Sequence, residues 1–296
     1  MRDRETNTKL EELETDLLLD AVLRYYGYDF RDYEPAAVRR RIRESMLAGR
    51  ISTISGFQDK LLHQPAFLER FLRGFSSTGL SMFSDPGFYR SFRMKVVPQL
   101  RTYPFIRIWH AGCSTGEAVY SMAILLQEEG LYQRSRIYAT DLSEEVVRQA
   151  RIGSFRSSGA DQYAADYKKA GGTRSFSDYF KKKGNRLLIE PAFKRNIVFS
   201  EHSLATDGSF NEFQVIVCRD VLGSFNHRLR ERVDSLIYDS LSRFGVLALD
   251  PTDSLETMPY EDHYVLLDEE RRLYQKHSSN VIPRFVTMEP KEKQLC

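Results

Sequence analysis

The residues best placed to do chemistry lie in Trp109-His-Ala-Gly-Cys-Ser-Thr-Gly-Glu117, where an apolar strand enters a turn and leaves it as an amphipathic helix. Gly112 and Gly116 bracket the turn, and a Cβ at either position would occupy the space that a close ligand needs. A phosphate-cradling loop requires a Lys after its second glycine, where this chain has Glu117. A dinucleotide loop requires G-x-G-x-x-G, so that a diphosphate meets a helix N-terminus. Here the spacing is G-x-x-x-G, and the acid that follows repels a diphosphate. The pattern favours a cationic ligand that carries hydroxyls, and S-adenosylmethionine has a sulfonium, an ammonium and a ribose. About 25 residues on, the next apolar strand ends at Asp141, a carboxylate able to accept both ribose hydroxyls by the logic of dinucleotide folds. The alternative is an ordinary strand-to-helix turn with a surface aspartate.

These residues need a scaffold, and the periodicity supplies one. Ile106, Ile108 and Ala111 read as a buried strand, and Met122, Ala123, Leu125 and Leu126 as a helix that Gly130 stops. After Asp141, Ser143 caps a helix with Val146, Val147 and Ala150 inward. Strands follow at 196–199, Phe213–Cys218 and 245–249, with a helix at 229–241 and a terminal antiparallel pair around the charged turn 268–272. Strand and helix in alternation predict an α/β fold, a parallel sheet covered by helices with ligands at the carboxyl ends of its strands. The loops after Gly112 and Asp141 meet there. Residues 1–76 read as helices only: 10–26, with an apolar stripe of Leu13, Leu17, Leu18, Ala21, Val22 and Tyr25, then 36–48, 54–63 and 65–75. A connector and helix span 77–104, the sheet domain 105–288, and a polar, frayed tail 289–296.

Composition excludes several classes. With 43 basic and 41 acidic residues in 296, the net charge of +2 gives no global attraction to nucleic acid or membrane. The three cysteines, Cys113, Cys218 and Cys296, lack disulfide or C-x-x-C spacing, and the six histidines lack ligand spacing, so neither a disulfide framework nor a metal site is expected. The charged first 15 residues are no signal peptide, and no apolar run reaches membrane-spanning length, so a cytoplasmic protein is expected. One local charge cluster stands out. Arg39, Arg40, Arg41 and Arg43 crowd the first half of one helix, where like charges repel unless a counter-charge docks. They read as a solvated face or as a docking surface for an acidic partner.

Several separate runs, in one order, carry a resemblance: Trp109 to Glu117, Tyr138-Ala-Thr-Asp141, Phe199-Ser-Glu-His-Ser-Leu204, Val217-Cys-Arg-Asp-Val221, and Tyr25-Tyr-Gly-Tyr-Asp-Phe-Arg31 with the arginine-rich helix. Together they resemble the chemotaxis-receptor methyltransferases, the CheR family, over Leu10 to Lys276. The resemblance implies a small all-helical domain followed by a Rossmann-like S-adenosylmethionine-dependent methyltransferase sheet. It implies O-methylation of glutamate side chains on a helical, receptor-like signalling protein, with S-adenosylhomocysteine as product. Cofactor contacts are expected from Thr78, Gly112, Cys113, Thr115, Gly116, Glu117, Asp141, Ser203, Leu204, Arg219 and Asp220, and receptor contacts from Arg39, Arg40 and Arg43.

Departures from the family pattern fall near the reacting atoms. The family's Asn-x-Thr-x-x-Phe-Arg-Asp-Pro connector is Thr78-Gly-Leu80-Ser-Met-Phe83-Ser84-Asp85-Pro86, and its Cys-Arg-Asn-Val-x-Ile-Tyr-Phe is Cys218-Arg219-Asp220-Val221-Leu222-Gly223-Ser224-Phe225. Ser84, Asp220 and Ser224 thus occupy positions where the family places the catalytic Arg, Asn and Tyr. The alternative function is a cofactor-binding signalling module with impaired transfer. Some members bind a receptor-tail peptide through a Gly-rich loop in a small β-subdomain. That subdomain is expected near 175–195, and its corresponding stretch, Tyr179 to Glu190, has Gly184 alone, so tail-peptide binding is not expected, nor is binding of nucleic acid or insertion into a membrane.

Overall fold

The computed structural model of the protein describes residues 2–76 and 81–277. Thr78, Leu80, Cys296 and the tail 289–296 lie outside the described residues. Four helices come first: α1 (Arg2–Tyr26), α2 (Pro35–Gly49), α3 (Ile54–His63) and α4 (Pro65–Arg73). Pro35 and Pro65 stand at helix starts, where a missing N–H costs nothing. Thr53 caps α3 by accepting from the Gly56 N–H at 3.1 Å. The helices close on Leu18, Val22, Phe30, Ile42, Phe57 and Phe71, all buried. The stripe expected on α1 is corrected in part, since Leu13, Leu17 and Tyr25 are each more than half exposed. Leu17-Leu18-Leu19 offers two overlapping stripes, and the one inward combines Leu18 and Leu19 with Thr15 and Val22.

The second unit opens with α5 (Pro86–Ser91), which runs through a π-helical turn, Phe92–Val96, into α6 (Val97–Leu100). Pro98 lacks the N–H that an unbroken helix would use there, and the Val97 N–H bonds the Phe92 carbonyl instead. In chain order follow β1 (Ile106–Ala111), α7 (Glu117–Glu128), β2 (Ser135–Asp141), α8 (Glu144–Ile152), β3 (Ser154–Arg156) and α9 (Ala160–Lys169). Then come β4 (Phe180–Lys183), β5 (Arg186–Ile189), β6 (Ile197–Glu201), β7 (Phe213–Cys218), α10 (His227–Ser240), β8 (Leu241–Leu249), β9 (Tyr264–Asp268) and β10 (Leu273–Lys276).

The main sheet has the order β6-β2-β1-β7-β8-β10-β9. Its first five strands are parallel, and β10 and β9 add an antiparallel edge. Both faces of the parallel part are covered, as such sheets require. Ile106, Ile108 and Val215 meet α7 on one side, and Trp109, Ile216 and Leu247 belong to the core on the other. The chain leaves β1 toward β2 and β6 and returns to β7 and β8, so the topological switch point lies beside the carboxyl end of β1. The small β-subdomain is a separate three-stranded sheet, β3-β5-β4, and it starts earlier than the region near 175–195 because β3 reaches across α9 to pair with β5.

Candidate cofactor and acceptor site

The turn after β1 folds over the end of β2. Gly112 and Cys113 both donate their N–H groups to the Thr140 carbonyl, at 2.9 and 2.7 Å, and Ser114 N–H donates to Asp141 Oδ2 at 2.9 Å. Gly112 adopts φ +78°, and a Cβ there would stand 2.3 Å from Val221 Cγ2. No larger residue fits unless the loop after β7 retreats. Asp141 is 4 % exposed. Its Oδ1 accepts from the Ser76 hydroxyl at 2.5 Å and from the Ser143 N–H at 3.4 Å. Burial raises the pKa of its carboxyl, and the hydrogen bonds oppose that rise.

Asp141 lines a cleft at the switch point together with Gly112, Leu142, His202 and Leu204. Tyr33, Phe75 and Ser76 of the helical domain close it, leaving about 40 Å³ open. A buried carboxylate flanked by Leu142, Leu204 and Phe225 suits a nucleoside, with acceptors for hydroxyls at one end and apolar walls for a base.

The structure brings Gly112, Asp141 and Leu204 together in this cleft, with Ser224 at its edge. Thr115 and Glu117 face a different cavity, lined also by Arg186, and Gly116 packs 3.2 Å, at its Cβ position, from Ala150. Cys113 is buried beneath the loop, where desolvation pushes its thiol far up and leaves it unreactive. The Ser203 main-chain N–H donates to Asp207 Oδ2 at 2.9 Å. Arg219 turns to the connector, donating to Asp85 at 2.8 Å and lying 4.5 Å over the Phe88 ring. Ser84 is exposed on that connector, and Thr78 lies outside the described residues. Tyr33, Phe75 and Ser76 carry no local signal in the sequence, because they reach the cleft from another domain.

A second cleft of about 380 Å³ adjoins the first and shares Phe75, Ser76, Val221 and Ser224 with it. Arg40 and Arg41 form one wall, and Asp220, Asp250 and Asp253 the other. Asp220 sits at φ +61°, its carboxyl hydrogen-bonded to that of Asp250. Burial, then the Asp250 charge, raise the pKa of the Asp220 carboxyl. Burial pushes Asp253 up to about 6, although Arg230 stands 3.7 Å away. The arginines of α2 do not form one face. Arg40 and Arg41 look into the cleft beside Glu44, Arg39 lines a groove against α1, and Arg43 pairs with Glu11 of α1 at 2.5 Å. The Ser224 hydroxyl donates to the Val221 carbonyl at 3.0 Å. Main-chain bonds clamp the domains across this cleft: Glu34 N–H to the Ser224 carbonyl at 2.9 Å and Asn226 N–H to the Asp32 carbonyl at 3.1 Å.

Known proteins match this arrangement along most of the chain. The family described as CheR methyltransferase, all-alpha domain, matches residues 13–76, and CheR methyltransferase, SAM binding domain, matches residues 81–268. A Pseudomonas putida protein whose name marks it as a candidate methyltransferase, Cher3, is 38% identical over 271 residues, covering 92% of this chain and 99% of that protein. A chemotaxis protein methyltransferase of Listeria monocytogenes is 26% identical over 250 residues, covering 83% of this chain and 92% of its own length. The matched SAM-binding domain contains the β1 turn, Asp141 and Leu204, and with both domains matched the chain belongs to the CheR methyltransferase family, with S-adenosylmethionine as its cofactor.

Proposed function

We propose that the protein methylates glutamate side chains of a helical, receptor-like signalling protein. The observation that carries this reading is the second cleft, which shares Phe75, Ser76, Val221 and Ser224 with the cofactor cleft and has Arg40 and Arg41 on one wall. When bound, the cofactor supplies a methyl group on a sulfonium. A glutamate carboxylate, with an ordinary pKa near 4.3, is already ionised at neutral pH. Such an acceptor would take the methyl group on its oxygen with no proton to remove. The chain's residues therefore have to align the acceptor and exclude water, which is proximity catalysis. Arg40 and Arg41 attract the carboxylate, and the shared walls at Phe75, Ser76 and Val221 bring the two clefts into contact.

One observation favours a second reading, a cofactor-binding module with impaired transfer. Asp220, Asp250 and Asp253 line the same cleft and repel an anionic acceptor. Tritiated-methyl transfer to receptor fragments decides between them. On the impaired reading the native chain labels slowly, and Ser84→Arg, Asp220→Asn and Ser224→Tyr together raise the rate at least about tenfold, because the restored groups align the acceptor. Asp220 and Ser224, which line the cleft, contribute most of that gain. Turnover by the native chain at roughly 1 per second or faster is an ordinary enzyme rate and removes the impaired reading.

A further inference from the structure

The cleft beside the cofactor site carries charge of both signs, Arg40 and Arg41 on the α2 side and Asp220, Asp250 and Asp253 on the side of the β7 and β8 loops. The aspartates are not held alike. Thr252 fixes Asp250, donating its N–H at 3.0 Å and its hydroxyl at 2.7 Å to Oδ1. Asp253 is 4 % exposed, and its carboxyl accepts no hydrogen bond among the described residues. Arg230 stands 3.7 Å from it and gives its Nε to the Phe225 carbonyl at 3.2 Å. A carboxylate so buried needs a charged donor to offset its lost hydration. The β7 loop has meanwhile lost bulk. Gly223 and Ser224 line the cleft where the family pattern has Ile and Tyr, and a Cβ built on Gly223 would meet nothing within 4 Å. Asp220 stands where that pattern has Asn, so charge is gained beside the room that is gained. Arg40, Asp220, Gly223 and Thr252 are exposed, which leaves the cleft open to side chains on the surface of another protein.

A lone carboxylate entering here gains from Arg40 and Arg41 and is repelled by the aspartates, and a lone cation meets the reverse. An acceptor that brings both charges removes the conflict. We propose that the protein selects glutamates that have a lysine or arginine one helical turn away in the acceptor, the carboxylate on Arg40 and Arg41 and the cation against Asp220, Asp250 and Asp253. This rests on the glutamate methylation proposed above and gives the acidic wall a use within it. Residues three and four apart on a helix are neighbours, about 5–6 Å between Cβ atoms, so one surface segment presents both charges to one cleft. The cation supplies the donor that Asp253 lacks. The same wall turns away glutamates flanked by further acids, which is selection by repulsion as well as by attraction.

Fluorescence anisotropy of short stapled helical peptides, titrated with the full chain saturated with S-adenosylhomocysteine, tests this. Three peptides carry one glutamate with lysine, alanine or a second glutamate four residues to either side, and a fourth keeps the lysine and replaces the glutamate by alanine. The glutamate–lysine peptide is expected to bind about tenfold tighter than the glutamate–alanine peptide, as one charged hydrogen bond gives, and the double glutamate should bind weakest of the three. In Asp253→Asn and Asp220→Asn, each checked by its melting temperature, the preference for lysine should collapse. A parent that binds the glutamate peptides without preferring lysine overturns this inference and leaves glutamate methylation standing. A preference that persists in both variants overturns the assignment to this wall. A lysine-only peptide held as tightly as the pair, or a parent that binds no peptide of the series, overturns the glutamate reading and this one with it.

Discussion

A carboxylate that is to hold a ribose must first release what it already holds. Asp141 accepts from Ser76, Ser114 and Ser143, so a sugar hydroxyl takes the place of the Ser76 hydroxyl and gains a charge-assisted bond to the carboxylate. The free energy of binding comes from the walls and from what the bond to an ionised group adds. Asp141→Ala should therefore weaken S-adenosylhomocysteine by about 1.5–3 kcal/mol. Calorimetry on the variant reads this directly, and an unchanged affinity would remove Asp141 from the site. That Asp141 would stand beside the β1 turn was legible, because the next apolar strand ends there. Ser76 was not, since nothing in a local pattern marks a hydroxyl whose partner lies 65 residues away. Glu117 was legible as an unusual residue and illegible as to direction, because a helix's first residue can face either side of its turn.

Among the elements, β1 carries an unusual passenger. His110 is 4 % exposed, its Nε2 has no hydrogen-bond partner among the described residues, and burial lowers its pKa to about 3. In the unfolded chain an imidazole titrates near 6.5, so between those values the unfolded state takes up a proton that the folded state refuses. Stability is then complete above pH 6.5 and declines as pH falls toward 3, by up to about 1.4 kcal/mol per unit. His110→Leu should flatten that decline, which urea unfolding at pH 7.5 and pH 5 would measure. Parallel pH curves for parent and variant would show that His110 is not held neutral. Strands of this kind were readable from their apolar runs: Phe213–Cys218 has the expected bounds. The polar elements were not. In α9 only Asp166 and Tyr167 are buried, and β3 is three residues long, so neither presents a periodic stripe. Their positions follow from pairing and packing across the small sheet, which a single stretch of sequence does not contain.

At the scale of the whole molecule, both clefts are built where the helical domain meets the carboxyl ends of the strands. The near-balanced total charge hides a local division, with arginines on the α2 wall and aspartates on the β7 and β8 loops. An acidic receptor surface should be steered by Arg40 and Arg41. Reversing both to Glu should slow association and remove most of its salt dependence while leaving cofactor affinity unchanged. Arg43→Glu, which breaks a pair with Glu11 on another face, should alter association little. Association rates at two ionic strengths separate these outcomes, and equal rates for parent and the Arg40/Arg41 variant would make the cluster a solvated face. The main-chain bonds that join 32–34 to 224–226 have a different consequence, one for chain length. They are indifferent to side chains, so what holds the residue types in these turns is instead the packing of Tyr33 on Phe225 in the cleft wall. They depend on where each peptide group falls, so an insertion or deletion of one residue in either turn is expected to displace both bonds at once.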